Sequence, residues 1–500
     1  MKKTRVLFLA CLTFIAAPIR GNVCNNCPED HSHTYMFTRP LTEHLGIEQA
    51  MWHDIVYKKQ KGGTAVQVTA AYQQSVTLEQ NSNYFLFPCN RDVLVSGDDN
   101  TGDARTRDIR AEWLGLPSNF RGRFTVSPHQ KQAGVIVEAS KDLHTVIDHD
   151  YFKGSWFNIV IPAVYVENNL RLRQWDVINP GTTFPADIVQ AMRQPNWLYA
   201  KMGSCCSKTA LADLTFKLGK TYLCEDNNLL AYYTKLIAPT GNRQNPAFIF
   251  SPVSGNNNHF GYGGGVYMQL LCNNDPTLVR VLFFLNFESI FFARNDQWRT
   301  FDLRGKPMSR YMQFVDTSLN PGATIPGVNV LTLLVDAHPY GYVDFSAGFR
   351  LQLKKTEWEF GYNIWGHVQE RIELECPFPA GRYGIAGSYN PNLIPNPLNT
   401  VVTASKSTIA MQAPNDVIIS PCPVPCTETL TFVPLNEGDI DFRSGAAGPA
   451  FNHKVHISVG SVHRGEKVDA FWGFGIFYDL PMKYGALCLM GGWLKGGASF

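Results

Sequence analysis

Alternate positions of residues 341–354 separate into two strings without an error. Val343, Phe345, Ala347, Phe349, Leu351 and Leu353 form one, and Asp344, Ser346, Gly348, Arg350, Gln352 and Lys354 the other. Side chains two apart share a face of a strand, so a period of two predicts a β-strand with one apolar and one polar face. The pattern recurs in 356–373, 211–219, 328–338, 66–73 and 454–459, and more weakly in 153–169, 228–240, 258–272, 278–294, 467–478 and 484–500. Stretches 132–140 and 308–315 are doubtful strands. The pairs 341–354/356–373 and 467–478/484–500 read as up-and-down hairpins joined by short turns.

Length separates two readings of these strands. Strands of soluble domains cluster near five or six residues, whereas a tilted strand needs about 9–11 to cross a hydrocarbon layer. The runs here approach or reach the longer value. Inside a bilayer every backbone N–H and C=O needs a partner, so the strands have to close on themselves. The expected fold is therefore all-β, a transmembrane antiparallel up-and-down barrel of about 12–16 strands, with the apolar string facing lipid and the polar string facing a lumen.

The rest of the chain divides around that barrel. The opening MKKTRVLFLACLTFIAAPIRG has a basic head, an apolar run and small residues, the layout of a signal peptide cleaved between residues 17 and 21. Residues 22–62 read as an N-terminal periplasmic segment and 63–500 as the barrel, interrupted by inserts at 79–130 and 376–430. The first insert holds a charged, turn-rich piece and a possible short helix at RAEWLGL; the second is rich in proline and unsuited to a central strand. FPADIVQAMR, 184–193, reads as another short helix.

Composition adds little about partners. With 44 Lys+Arg against 42 Asp+Glu the chain is nearly neutral, which gives no reason to expect nucleic acid. Charged residues at 17% and aromatic residues at 12% suit a barrel better than a soluble enzyme. Of twelve cysteines, one (Cys11) leaves with the signal peptide. In an exported chain the default reading is disulfides, with Cys24, Cys27, Cys205, Cys206, Cys422 and Cys426 as candidates and an odd thiol left free or linked to a neighbouring chain. Cys24 and Cys27 with His31 and His33 also resemble a metal cluster, but no metal site is assigned there.

The C-terminal stretch KYGALCLMGGWLKGGASF ends in Phe500, with Ala498, Gly496, Leu494 and Met490 at alternate positions before it. It resembles the last strand of bacterial outer-membrane β-barrels, porin-like proteins in which the terminal aromatic residue serves the barrel assembly machinery. IAPTGN (237–242) and HFGYGGGV (259–266) are similar to turns and strands of such barrels, and the cysteine content is more similar to the cysteine-rich major outer-membrane proteins of intracellular bacteria. The resemblance is to an architecture over most of 64–500. It implies location in the outer membrane, contact with its lipid, and passage of small solutes, with a homo-oligomer or disulfide-linked neighbours as further partners.

The lumen-facing set expected from the alternation is Asp213, Lys217, Arg280, Glu288, Asp336, Asp344, Arg350, Lys354, Glu359, His367, Arg371 and Lys454. Side chains of both signs across a bore orient polar solutes; paired with one another they would instead fill a narrow barrel. Trp358, Tyr362, Trp472, Tyr478 and Trp493 suit interfacial girdles. Phe284 and Trp365 fall in the inward phase, as a path for apolar solutes or as contacts of a plug. His149 and His259 lack a nucleophile with motif support, and HFGYGGGV lacks the Lys-Ser/Thr of a phosphate loop. No catalytic residue and no cofactor is expected. The reading is a passive channel for small solutes, with a transporter of apolar compounds and an envelope-structural or surface-interaction barrel as alternatives.

Overall fold

A computed structural model describes residues 32–53, 63–385 and 435–500, apart from 77–80, 88–91, 104–105, 204, 224–227, 274–278, 317, 319–323, 354 and 483–484. Twelve strand positions close into one antiparallel barrel. In chain order they are β1 (Thr64–Val76), β2 (His129–Asp142), β3 (Ser155–Asn169), β4 (Cys205–Leu211 continuing as Leu214–Leu223), β5 (Leu229–Ala238) and β6 (Gly261–Asn273). They continue as β7 (Arg280–Phe292), β8 (Gly341–Leu353), β9 (Thr356–His367), β10 (Ala450–Arg464), β11 (Asp469–Pro481) and β12 (Cys488–Ser499). Each pairs with its sequence neighbours, and β1 pairs with β12 from Ala65↔Ser499 to Val76↔Cys488, closing the ring. Phe500 extends that seam by exchanging backbone hydrogen bonds with Thr64 at 2.9 and 3.2 Å.

The opening alternation is realised with its faces inverted relative to a soluble protein. Val343, Phe349 and Leu353 are 45%, 36% and 41% exposed, while Asp344, Ser346 and Arg350 on the same strand are at most 1% exposed. Leu230, Tyr232 and Leu236 on β5 and Trp472, Phe474 and Ile476 on β11 continue this exposed apolar belt around the ring. A belt of that extent is stable against hydrocarbon rather than water. Among the described residues no helix is long and apolar enough to cross a membrane; strands do the spanning.

Two departures from regularity matter below. At β4, residues 212–214 stand opposite only Ile161 and Pro162 of β3. The extra residue bulges the strand, where Pro162 offers no N–H to the ladder. Connections also differ by end: 224–228, 274–279, 354–355 and 465–468 are short and join strands at one end, where 143–154 is longer, whereas 77–128, 170–204, 239–260, 293–340 and 368–449 are long and join strands at the other, where 482–487 is short.

The described residues of the long connections are not loose loops. They build a cap from a four-stranded sheet (Val93–Ser96, Ile109–Arg110, Arg121–Thr125, Arg173–Ile178) and two three-stranded ones. One of these joins Asn295–Thr300, Thr332–His338 and Arg371–Leu374; the other joins Gln313–Asp316, Thr324–Pro326 and Tyr383–Ile385. An apolar core under the cap includes Phe85, Trp113, Phe124, Trp197, Phe301, Phe314 and Val335. The expected short helices are present as Ala111–Leu114, a 3-10 turn ended by left-handed Gly115, and Ile188–Ala191, capped by Asp187. The alternation at 328–338 and the doubtful strand at 308–315 belong to the cap, because a period of two reports one covered face whatever covers it. Most of the 376–430 insert lies outside the described residues, as does the signal-peptide stretch.

Candidate functional site

The lumen is occupied by the chain itself. Residues 32–53, expected as a periplasmic segment outside the barrel, run through it from the long-loop end to the short-turn end. The reason is chemical: the segment carries three formal charges, Arg39, Glu43 and Glu48, and the wall holds opposite charges where each arrives.

At the long-loop end the segment is gripped by the cap. The Ser32 hydroxyl donates to the Phe85 carbonyl at 3.1 Å and accepts from Arg310 at 2.9 Å. His33 stacks on Tyr84 with ring centres 4.3 Å apart, and Thr34 donates to the Thr300 carbonyl at 2.6 Å. The Tyr35 ring lies 3.3 Å from the Arg299 guanidinium carbon. Phe37 follows, parallel to Trp365 and edge-on to His367.

At mid-height the contacts are ionic. Arg39 Nη2 is 2.5 Å from Asp344 on β8, and Nη1 is 3.0 Å from Asn363 on β9 and 3.5 Å from Asp479 on β11. Gln132 on β2 accepts from the Leu41 N–H at 2.8 Å and donates to the Arg39 carbonyl at 3.2 Å, so the wall reads backbone as well as charge. Glu43 meets Lys235 on β5 at 3.0 Å and bonds the Tyr342 hydroxyl; Lys235 also holds Glu288 on β7 at 2.9 Å. His44 sits between Gln73 on β1 and Lys454 on β10, at 2.8 and 2.7 Å.

Toward the short-turn end the segment turns through a helix, Leu45–Gln49. Glu48 pairs with Lys217 on β4, and Lys495 on β12 donates to the Ile47 and Glu48 carbonyls. Trp52 Nε1 donates to Glu138 on β2 at 2.8 Å, and His53 lies 3.8 Å from Glu357. Gly46 is needed here: a Cβ would stand 2.8 Å from the His456 ring, which itself fills the space left by Gly361. Gly46→Ala is expected to cost about 1–2 kcal/mol through overpacking, read as a lower urea midpoint for loss of the folded, heat-modifiable form on gels.

Part of the wall pairs without the segment. Arg350 on β8 meets Glu359 on β9 at 2.5 Å and also bonds Tyr267, and Glu359 takes His456 at 2.9 Å. Asp213, at the β4 bulge, accepts from the N–H groups of Gly241 and Asn256 at 2.8 and 2.6 Å, tying the 239–260 connection down into the mouth.

The expected lumen residues thus fall in several places. Asp213, Lys217, Glu288, Asp344, Arg350, Glu359 and Lys454 are buried on the inner face. His367 stands at the mouth beside Phe37, and Arg280 opens β7 at the short-turn rim, exposed to solvent. Asp336 and Arg371 are not on the wall. They lie on the cap sheet, where Asp336 pairs with Arg294 at 3.0 Å and Arg371 with Glu373 at 2.5 Å. Lys354 lies outside the described residues. Trp493, expected in an outer girdle, points inward and meets Lys495, whereas Trp358, Trp472 and Tyr478 face outward. Of the inward aromatics, Trp365 contacts the segment and Phe284 lies under Arg350, 4.3 Å from ring centre to guanidinium carbon.

Cys272, Cys376 and Cys488 are free thiols. Cys205 and Cys206 open β4, and Cys24, Cys27, Cys422 and Cys426 lie outside the described residues. The sequence reading missed Arg39, Glu43, Glu48, Lys235, Asp479 and Lys495. Lys235, Asp479 and Lys495 alternate with apolar neighbours in β5, β11 and β12, a signal that was there to find. The segment has no period of its own.

No family model matches this chain and no curated relative does. Solved structures similar to it include an outer membrane channel from Pseudomonas putida F1, at 9% identity and TM-score 0.39, covering 89% of this chain and 98% of that one. A FadL homologue from Pseudomonas aeruginosa is similar at 7% identity and TM-score 0.29, covering 93% and 99%. The translocator domain of the autotransporter NalP from Neisseria meningitidis is similar at 8% identity and TM-score 0.21, covering 91% and 96%. Each is a distant likeness in outline.

Proposed function

We propose that this chain is a bacterial outer-membrane channel for small solutes, held shut by its own residues 32–53 and opened when that segment moves. It is delivered by a cleaved signal peptide and inserted by the barrel assembly machinery, with the short turns in the periplasm and the cap outside. The observation that carries the reading is how the segment is held in the bore. Below Phe37 it holds the wall by ion pairs and hydrogen bonds through Arg39, Leu41, Glu43, His44, Glu48 and Trp52, beside buried Leu41, Ile47, Met51 and Trp52, which pack in apolar clusters with wall residues such as Phe471 and Phe477. Water entering the bore can replace the polar contacts, at about 0.5–1.5 kcal/mol for a typical neutral hydrogen bond and about 1.5–3 kcal/mol for one to a charged group. A barrel serving only as a strut has no need of the ion pairs, since buried ion pairs are often no better than well-packed hydrophobic groups. The reading invokes no chemical step and no cofactor.

The test is single-channel recording in a planar bilayer. The unmodified chain is expected to rest closed with rare openings. The double variant Glu43→Lys, Glu48→Lys sets like charges against Lys235 and Lys217 and is expected to give sustained stepwise current. A silent bilayer from both, with barrel-like circular dichroism and heat-modifiable mobility retained, sinks the channel in favour of an envelope-structural barrel. Passage of apolar compounds is the second reading, favoured by the aromatic group of Tyr35, Phe37, Phe292, Tyr342 and Trp365 at the mouth. Liposome swelling with sugars separates the two: rapid swelling supports the polar route.

A further inference from the structure

Arg39 occupies a site more complete than either segment carboxylate has. Two carboxylates (Asp344 and Asp479), the amide oxygen of Asn363 and the face of Trp365, 5.4 Å from ring centre to guanidinium carbon, surround it. All four wall residues are at most 1% exposed. Glu43, by contrast, shares Lys235 with Glu288, so the wall there is already balanced when Glu43 departs. The Arg39 site is not balanced. Lys454, engaged with His44, is one cation against two acids, and loss of Arg39 leaves this part of the wall with an excess negative charge.

From this we infer that the barrel wall carries a built guanidinium site, and that solutes bearing a guanidinium group compete with Arg39 for it and thereby unseat the segment. The inference rests on the channel reading above and names its substrate class. The step holding the segment in is the exposure of Asp344 and Asp479 without their guanidinium, since the Asn363 amide that also donates to Asp344 carries no charge; a solute that supplies the same planar, doubly donating cation removes that obstacle. Its affinity for the vacated state and not for the filled one shifts the population toward open. An ammonium group brings charge without the fork that reaches Asp344 and Asn363 together, and a neutral isostere brings neither.

The experiment uses the full chain in a planar bilayer at constant ionic strength. L-Arginine on the cap side is expected to raise open probability at least about tenfold, while citrulline, its uncharged isostere, leaves it unchanged and lysine gives a smaller effect. In Asp344→Asn the arginine response is expected to fall to that of lysine. An unmodified chain indifferent to arginine, beside a conducting Glu43→Lys, Glu48→Lys variant, overturns this inference and leaves the channel reading intact. Silence of both overturns the channel reading and this inference with it. Equal responses to arginine and lysine overturn the guanidinium assignment.

Discussion

Asp302→Ala is expected to loosen the cap and the upper end of the threaded segment together, at a cost of about 3–5 kcal/mol. Asp302 is 1% exposed and accepts from the backbone N–H groups of Met308 and Arg310 at 2.9 and 3.0 Å and from Arg310 Nη1 at 2.5 Å. Removing it strands a guanidinium that is wholly buried, and a buried charge without its partner is among the most destabilising of single changes. Arg310 also donates to Ser32 and to the Phe85 carbonyl, so the damage passes directly to the first gripped residue of the segment. Limited proteolysis of detergent-solubilised protein should show early cleavage within the cap and a fall in its unfolding midpoint, with barrel circular dichroism kept. The double variant Asp302→Ala, Arg310→Met removes both charges and should recover part of the loss. If Asp302→Ala proves as protease-resistant as the parent chain, the pair does not hold the cap.

Acidification should loosen the same region through His259. Its Nδ1–H donates to the Ala293 carbonyl and its Nε2 accepts from the Gln297 amide, both at 2.8 Å. The amide is oriented by its carbonyl, which takes Arg299 at 2.6 and 3.0 Å and Asn257 at 2.6 Å. The imidazole is therefore held neutral, and burial pushes its pKa down from 6.5 to about 4. Above pH 6.5 the folded and unfolded chains hold the same number of protons on this residue. Between 6.5 and 4 the unfolded chain binds the extra proton, so stability falls as pH falls, by roughly 3 kcal/mol across the window, and levels off below it. Arg299 lies against Tyr35, so the loss is felt where the segment enters the cap. Cap unfolding followed from pH 7 to pH 4 should show this slope, and His259→Asn, which cannot take up the proton, should flatten it. A slope unchanged in that variant would assign the acid response to other groups.

The barrel was legible in the chain because lipid imposes a rule on every residue of a strand. Hairpin β8–β9 and the β11–β12 pair follow from alternation alone, and even the doubtful stretch at 132–140 proved to be part of β2. The cap was not legible as a folded body. Its strands are short, and Thr332–His338 obeys the same period as a barrel strand because its inner face rests on the cap core. The lumen filling was least legible. Residues 32–53 are recognised by polar groups on strands as far apart in sequence as Gln73, Lys235 and Lys495, and no local pattern records contacts of that range. Asp344, Arg350 and Glu359 share the inward phase and are buried, yet phase says nothing about whether water or another part of the chain meets them.

Threading constrains how such a molecule comes together. The segment enters at the cap end and leaves at the short-turn end, where β1 also begins, and β1 is the strand that seals the ring against β12. A finished cylinder would admit Ser32 only by having the whole upstream chain drawn through a crowded bore. A curved, still-open sheet admits it from the side. The segment then acts as a mandrel: Lys217, Lys235, Asp344 and Lys495 lie on four different strands and bend toward one central rod before the last seam zips. Closure of β1 on β12 is then expected as the final event of assembly, and weakening the rod should slow the sealing of the ring even where the sealed ring is stable.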